Sequence, residues 1–153
     1  MLYTIKYDNN DLGTVLNYPS TWSVQENISD LNAIFRSPLT DTNDKFHENV
    51  SLSVQDLSSQ PMTLEQYTEL SFSQFEMILT DYKLVSSEES TLGGYKAQKI
   101  VFTCTQGVFN VKYMFICAVN GNKAYLLTLT SLADSYDNYI STAEDIVKSF
   151  IIK

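Results

Sequence analysis

The sequence predicts an α+β protein: a three-layer α/β/α sandwich, in which one helix covers each face of a mostly antiparallel central sheet. Two stretches have apolar residues at helical spacing, and several shorter stretches alternate as strands do. Two apolar runs, 109–119 and 123–130, also meet at Asn120-Gly121, a strong hairpin signal. Because both faces of that hairpin are mainly apolar, we expect it in the middle of the sheet with a helix against each face.

Strand signals fill the first third of the chain. Residues 3–7 and 13–18 alternate around a polar turn, and short extended runs follow at 22–24 and 33–36. In the run 49–54, apolar residues alternate with serines. This alternation predicts a strand that is covered on one face only and lies toward an edge of the sheet.

Two helices are predicted. The first begins after Pro61, because Thr63 and Gln66 are spaced as a capping box. The residues on its apolar face are Leu64, Tyr67, Phe75, Ile78, Leu79 and Tyr82. The second helix shows the clearer helical spacing of apolar residues, and we expect it to complete the fold. Its apolar face comprises Tyr136, Tyr139, Ile140, Ala143, Ile146, Val147 and Phe150.

The hairpin signal predicts a register as well. With Asn120 and Gly121 as the two loop residues, opposite residues can be paired along the two strands. The predicted pairs on one face are Cys117 with Ala124, Phe115 with Leu126 and Tyr113 with Thr128. Those on the other face are Ile116 with Tyr125 and Met114 with Leu127.

The two cysteines are predicted to be reduced and buried. Cys104 and Cys117 fall in the runs 97–105 and 109–119, which form a hairpin turning near residues 106–108. That register separates them by about six residues, or roughly 20 Å along the sheet. A disulfide requires Cα atoms within about 7 Å. Neither cysteine has a neighbouring histidine or a Cys-x-x-Cys partner to lower its pKa.

Composition indicates one globular domain, residues 1–153, without linkers or repeats. Eighteen acidic and ten basic residues give a net charge of −8, and the basic residues are scattered. Nucleic acid and anionic lipid are therefore poor partner candidates. No apolar run is long enough for a membrane-spanning helix. Strand-like alternation begins at about residue 3, without a leader, which favours a chain whose signal or lipid-anchor segment has been removed. We expect an extracytoplasmic location, with the cytoplasm as the alternative.

Five segments carry a family resemblance. They are Tyr18-Pro19-Ser20-Thr21-Trp22-Ser23-Val24, Phe35-Arg36-Ser37-Pro38, the strand from Asn49, Thr63-Leu64-Glu65-Gln66-Tyr67, and Gly93-Gly94-Tyr95-Lys96-Ala97. In this order, over nearly the whole chain, they resemble the PsbP-like family, whose founding member is an extrinsic subunit of the oxygen-evolving photosystem. In structural terms, Pro19 should break the extended run so that Trp22 enters the core, and Gly93-Gly94 should supply a positive-φ turn.

The resemblance implies an α/β/α sandwich without catalytic activity that docks on protein assemblies. Relatives occur in the photosynthetic lumen and as lipid-anchored prokaryotic proteins. A nuclear factor that binds the Ran GTPase shares the fold more distantly. Because these roles differ widely, the resemblance selects none of them.

Candidate chemistry is confined to the polar loop 41–48, which contains the single histidine of the chain. Four side chains there could converge on a divalent cation: Asp41, Asp44, His47 and Glu48. Their spacing matches no calcium or zinc signature, and a solvated loop is the alternative interpretation. No catalytic triad, P-loop, Rossmann glycine pattern or zinc-protease motif is present, so we expect neither catalysis nor a cofactor.

The leading functional hypothesis is a non-enzymatic binding or assembly module that docks on a protein partner. The alternative is a small-ligand or divalent-metal-binding protein, favoured by loop 41–48 and by the ten tyrosines of the chain. Most of these rings should pack in the core, and the others could form an aromatic rim around a cleft.

Overall fold

The computed structural model describes residues 3–39 and 46–153. Within these residues the elements are β1 Thr4–Asn9, β2 Thr14–Pro19, β3 Ser23–Ile28, β4 Leu31–Arg36, β5 Asn49–Asp56, α1 Leu64–Ile78, β6 Thr80–Leu92, β7 Tyr95–Gln106, β8 Phe109–Asn120, β9 Lys123–Leu132, α2 Tyr136–Ser149 and β10 Ile151–Ile152. One turn of 3₁₀ helix, Ala133–Ser135, leads into α2. Neither α-helix is both long enough and apolar enough to cross a membrane.

The central sheet is antiparallel, with the strand order β3-β4-β5-β9-β8-β7-β6. Helix α1 packs against one face and helix α2 against the other, which confirms the predicted α/β/α sandwich. A second, smaller sheet has the order β1-β2-β10. The sequence predicts its first two strands, but it does not predict that they leave the central sheet or that β10 follows α2.

The core under α2 is built as the helical spacing predicts. Tyr136, Ala143 and Ile146 are buried, and the remaining apolar residues of that helix face pack against the same core. On the sheet side the core includes Met114 and Ile116. Other members are Leu16, Trp22, Phe35, Val50, Leu52, Val101, Leu127 and Leu129. Trp22 therefore turns into the core, as expected from the proline that precedes it.

Helix α1 begins with the predicted capping box. The Gln66 backbone N–H donates to Thr63 Oγ1 at 3.1 Å, and the Thr63 N–H donates to Gln66 Oε1 at 2.9 Å. The predicted apolar face is wrong at Ile78, whose side chain is 73% exposed. The helix ends at this residue, and the chain turns into β6 through the extended Leu79. Leu79 and Tyr82 fill that end of the core from outside the helix.

The β8–β9 hairpin has the predicted strands but not the predicted register. Its loop residues are Gly121 and Asn122, with φ of 59° and 60°. Both central residues of such a turn need a positive φ, which glycine and asparagine adopt readily. The turn therefore forms at residues 121 and 122, one residue later than predicted. The Asn122 carbonyl also accepts a hydrogen bond from Leu57 N at 2.7 Å, a contact between distant segments. The observed pairs are Phe115 with Thr128, Cys117 with Leu126, Tyr113 with Thr130, Ile116 with Leu127 and Met114 with Leu129.

This register differs from the predicted one by two residues, which equals the side-chain period of a strand. Every side chain therefore stays on its predicted face. Phe115 and Leu126 pack in the core under α1, whereas Met114, Ile116 and Leu127 pack in the core under α2. The hairpin is buried on both faces, as predicted.

The prediction for β5 is wrong. Ser51 and Ser53 are buried along with the apolar residues of that strand, and β5 lies between β4 and β9 instead of toward an edge. The serines lie on the face that α1 covers, since Ser53 pairs with Leu126 of the core under that helix. The interior position of β5 results from its pairing with distant strands. The alternation of residue types within the strand gives no information about that pairing.

Candidate functional site

The predicted metal loop is described only in part. Asp41 and Asp44 lie outside the described residues. His47 is exposed, and its Nδ1 lies 2.6 Å from the Ser37 carbonyl oxygen. Glu48 is buried, and its Oε2 accepts a hydrogen bond from the Leu132 backbone at 3.2 Å. In the ranges 3–39 and 46–153, no group of three or more metal-ligating side chains converges. The four-residue metal site stays a prediction.

Both thiols lie inside the fold. Cys104 pairs with Val111 and Cys117 with Gln98 on the β7–β8 hairpin, so the predicted separation is confirmed and both cysteines are free and buried. Burial raises the pKa of Cys117 to about 11 and also raises the pKa of Cys104. Because the thiolate is the nucleophilic form, neither side chain is placed to act as a nucleophile at neutral pH.

Burial of Cys117 predicts a loss of stability at alkaline pH. Up to about pH 9 the thiol is protonated in both states. Between about pH 9 and pH 11 only the unfolded chain loses the proton, so the free energy of unfolding falls as pH rises. Denaturant unfolding at pH 7.5 and 10.5 should show wild type losing stability relative to Cys117→Ala over this interval. A difference between the two proteins that does not change with pH would contradict the assignment.

Strand β6 forms an open edge of the central sheet. It pairs with β7 on one side, and no strand of the described chain pairs with its other side. Its pairing with β7 is irregular between Thr80 and Lys83 and again between Leu84 and Ser86. Asp81, inside the first irregularity, has a positive φ of 55°. These interruptions twist the first part of the edge strand and limit uncontrolled pairing there, whereas the pairing with β7 is regular from Ser86 to Leu92.

An exposed apolar group, which we call the edge group, lies at the start of β6. Its members and exposed fractions are Met77 83%, Ile78 73%, Leu84 50%, Val85 54% and Val108 92%. Chain topology brings them to one end of the sheet. Helix α1 ends two residues before β6 begins, and the first pair of β6 with β7, Thr80 with Thr105, lies next to the turn that carries Val108. Exposed apolar side chains gathered at one end of a sheet make this region a candidate interaction surface.

A cleft lies at the opposite end of β6, on the α2 face of the sheet. It has a volume of about 390 Å³. Its lining is Ser90, Thr91, Gly93, Gly94, Lys99, Met114, Ile116, Glu144, Val147, Lys148 and Phe150. The two glycines form the β6–β7 turn with φ of 60° and 88°, as predicted. A Cβ on Gly93 would lie 2.8 Å from Ile152 Cγ1, so glycine allows β10 to close against this turn.

Lys99 is the charged residue that enters the cleft from the sheet. Its side chain is 24% exposed, and Nζ lies 3.7 Å from Glu144 Oε1 and 3.9 Å from Glu88 Oε1. Sequence reasoning missed this residue, although one lysine inside the apolar run 97–105 is a detectable signal. It also missed β6, because residues 80–92 contain few apolar side chains in alternation.

Comparisons with known proteins identify the fold. The sequence matches no protein-family model and no curated protein. The structure is similar to the solution structure of cyanobacterial PsbP from Synechocystis sp. PCC 6803. The TM-score is 0.69 at 16% identity, over 100% of this chain and 94% of that chain.

Two other solved structures show similar agreement. A protein of unknown function from Pseudomonas aeruginosa gives a TM-score of 0.65 at 14% identity, over 93% of this chain and 92% of that one. LpqN, which is involved in cell envelope biogenesis of Mycobacterium tuberculosis, gives a TM-score of 0.64 at 16% identity, over 99% of this chain and 91% of that one. The arrangement of two helices around an antiparallel sheet is thus the PsbP-like fold that the sequence motifs predict.

Proposed function

We propose that this chain is a non-enzymatic binding or assembly module that docks on a protein partner through the β6 edge. The observation that carries the proposal is that β6 has an open edge, regularly paired with β7 from Ser86 to Leu92, and that the exposed edge group lies next to this stretch at the start of the strand. These are the two elements of β-strand addition, in which main-chain hydrogen bonds supply affinity and side-chain contacts supply specificity. The occupant that fits is an extended, apolar segment of the partner.

Charge favours a particular kind of partner segment. The chain carries a net charge of −8, and β6 itself presents Glu88 and Glu89 with side chains 63% and 80% exposed. Complementary electrostatic potentials on two proteins increase their rate of association and disfavour binding of other proteins. Basic residues that flank the apolar segment of the partner would therefore improve its recognition.

A non-enzymatic role is supported by the state of the side chains that most often perform catalysis. Both thiols are buried, and their pKa values are raised. The single histidine is exposed, and its Nδ1 is engaged by a backbone carbonyl oxygen. Side chains in these positions contribute to stability and local order, so the function of the protein lies on its surface.

The test is a double substitution in the most exposed part of the edge group. Wild type, residues 1–153, and Met77→Lys/Val108→Lys are immobilised, and a protein that wild type retains from an extract of the native source is purified. Its affinity for both forms is then measured by calorimetry. We expect at least about a tenfold loss of affinity in the variant, because two lysines would be desolvated in an apolar contact.

The matched control is Val24→Lys on β3, the strand at the other edge of the sheet, where the side chain is 39% exposed. This variant should bind like wild type. Equal loss in both variants would show a general effect of charge, and no loss in the double variant would place the contact elsewhere. Either result would overturn docking at the β6 edge.

A further inference from the structure

We propose that the cleft between α2 and the β6–β7 turn binds a small zwitterion that carries an apolar group, such as a free amino acid with a large apolar side chain. This site lies at the other end of β6 from the edge group, and the proposal does not depend on protein docking there. Its volume of about 390 Å³ falls in the range of small-molecule sites, roughly 300–1,000 Å³.

Lys99 lies among apolar residues on the sheet side of the cleft. On β7 it lies between Ala97 and Val101, and all three residues face α2, where the other two belong to the buried core. Both carboxylate contacts of its ammonium, at 3.7 and 3.9 Å, exceed hydrogen-bond distance. No group in the described part of the chain accepts a hydrogen bond from this ammonium. A ligand carboxylate in the cleft would satisfy these donors.

Charged side chains alternate in sign at the cleft: Lys99, Glu144 and Lys148 line it, and Glu88 contacts Lys99 from outside the lining. From the sheet edge to the helix they run Glu88, Lys99, Glu144 and Lys148. The first three are joined by the two ion pairs, and the last two are one helical turn apart on α2. An anion at Lys99 would also approach Glu144, since the two groups lie 3.7 Å apart. A zwitterion avoids this repulsion, because its ammonium faces the carboxylate.

The end of α2 and the apolar lining of the cleft also favour a zwitterion that carries an apolar group. The cleft meets the last turn of α2, where the helix dipole favours a positive group over a negative one. Met114, Ile116 and Phe150 supply buried apolar side chains on the inner side of the cleft. Val147 also lines the cleft and is half-buried, so an apolar substituent on the ligand would cover this side chain and displace water from it.

Three ligands of nearly equal size test the charge pattern by isothermal titration calorimetry. L-phenylalanine carries both charges, 3-phenylpropionate lacks the ammonium, and 2-phenylethylamine lacks the carboxylate. We expect L-phenylalanine to bind with a dissociation constant of about 1 mM or lower, and each analogue to bind at least about tenfold more weakly. Binding of 3-phenylpropionate as tightly as L-phenylalanine would overturn the proposal, as would the absence of binding by all three.

Variants locate the binding in the cleft. Lys99→Met should remove the preference for L-phenylalanine over 2-phenylethylamine, and Glu144→Gln should remove its preference over 3-phenylpropionate. The matched control is Lys96→Met on the same strand, because this lysine contacts Glu65 of α1 on the opposite face. It should keep both preferences, as should Met77→Lys/Val108→Lys. Unchanged preferences in folded Lys99→Met and Glu144→Gln would place the binding elsewhere and overturn the proposal.

Discussion

Phe115→Ala and Ile116→Ala should each lower the free energy of unfolding by about 2–5 kcal/mol. The two residues are adjacent on β8 but point to opposite faces of the sheet. Phe115 is 7% exposed, and its ring meets the Phe75 ring of α1 edge-on, with centroids 5.4 Å apart. Ile116 is 1% exposed and packs in the core under α2. Denaturant unfolding of both variants measures the loss.

Val108→Ala is the control for this pair, since its side chain is 92% exposed and its loss should stay within about 0.5 kcal/mol. In a sheet covered on one face only, one of the two core variants would behave like this control. That result would contradict burial of the central hairpin on both faces, and with it the sandwich.

Phe35→Ala should cost about 3–5 kcal/mol, because this ring joins the two sheets. Phe35 lies on β4 of the central sheet and is fully buried. Its ring centroid lies 5.3 Å from that of Tyr7 on β1 and 4.9 Å from that of Tyr18 on β2. Aromatic pairs of this kind add about 0.5–1.5 kcal/mol beyond area burial. Denaturant midpoints and slopes give the change in stability.

Two further variants separate the role of this ring from general loss of apolar volume. Phe35→Leu keeps part of the volume and should be destabilised less than Phe35→Ala. Tyr3→Ala, just before β1 and 72% exposed, should remain close to wild type. A loss below about 1 kcal/mol in Phe35→Ala would show that the small sheet does not depend on this contact.

Features that depend on neighbours in the chain were predictable. The capping box at Thr63 and Gln66 places the start of α1, because a side chain and a backbone group three residues apart satisfy each other. The apolar spacing of α2 predicts its buried face. The separation of Cys104 and Cys117 follows from the β7–β8 turn and rules out a disulfide between them.

The surfaces that carry the proposals were not predictable in the same way. Residues 80–92 lack the alternation of a half-buried strand, because β6 is held mainly by backbone pairing with β7 and most of its side chains are exposed. The cleft joins side chains of α2, β6, β7 and β8 that are distant in sequence. No local sequence pattern predicts that these side chains come together, because their proximity depends on how α2 crosses the sheet.

Alternation along the strands was enough to predict which face of the central hairpin each side chain occupies, because inward and outward positions repeat with a period of two. The register of the hairpin was not predictable in this way, because its turn residues are Gly121 and Asn122 and the backbone N–H of the distant Leu57 donates to the Asn122 carbonyl. The burial of Ser51 likewise follows from β4 and β9 on either side of β5. Strand order arises from contacts between distant segments, and a pattern within one strand cannot specify its neighbours.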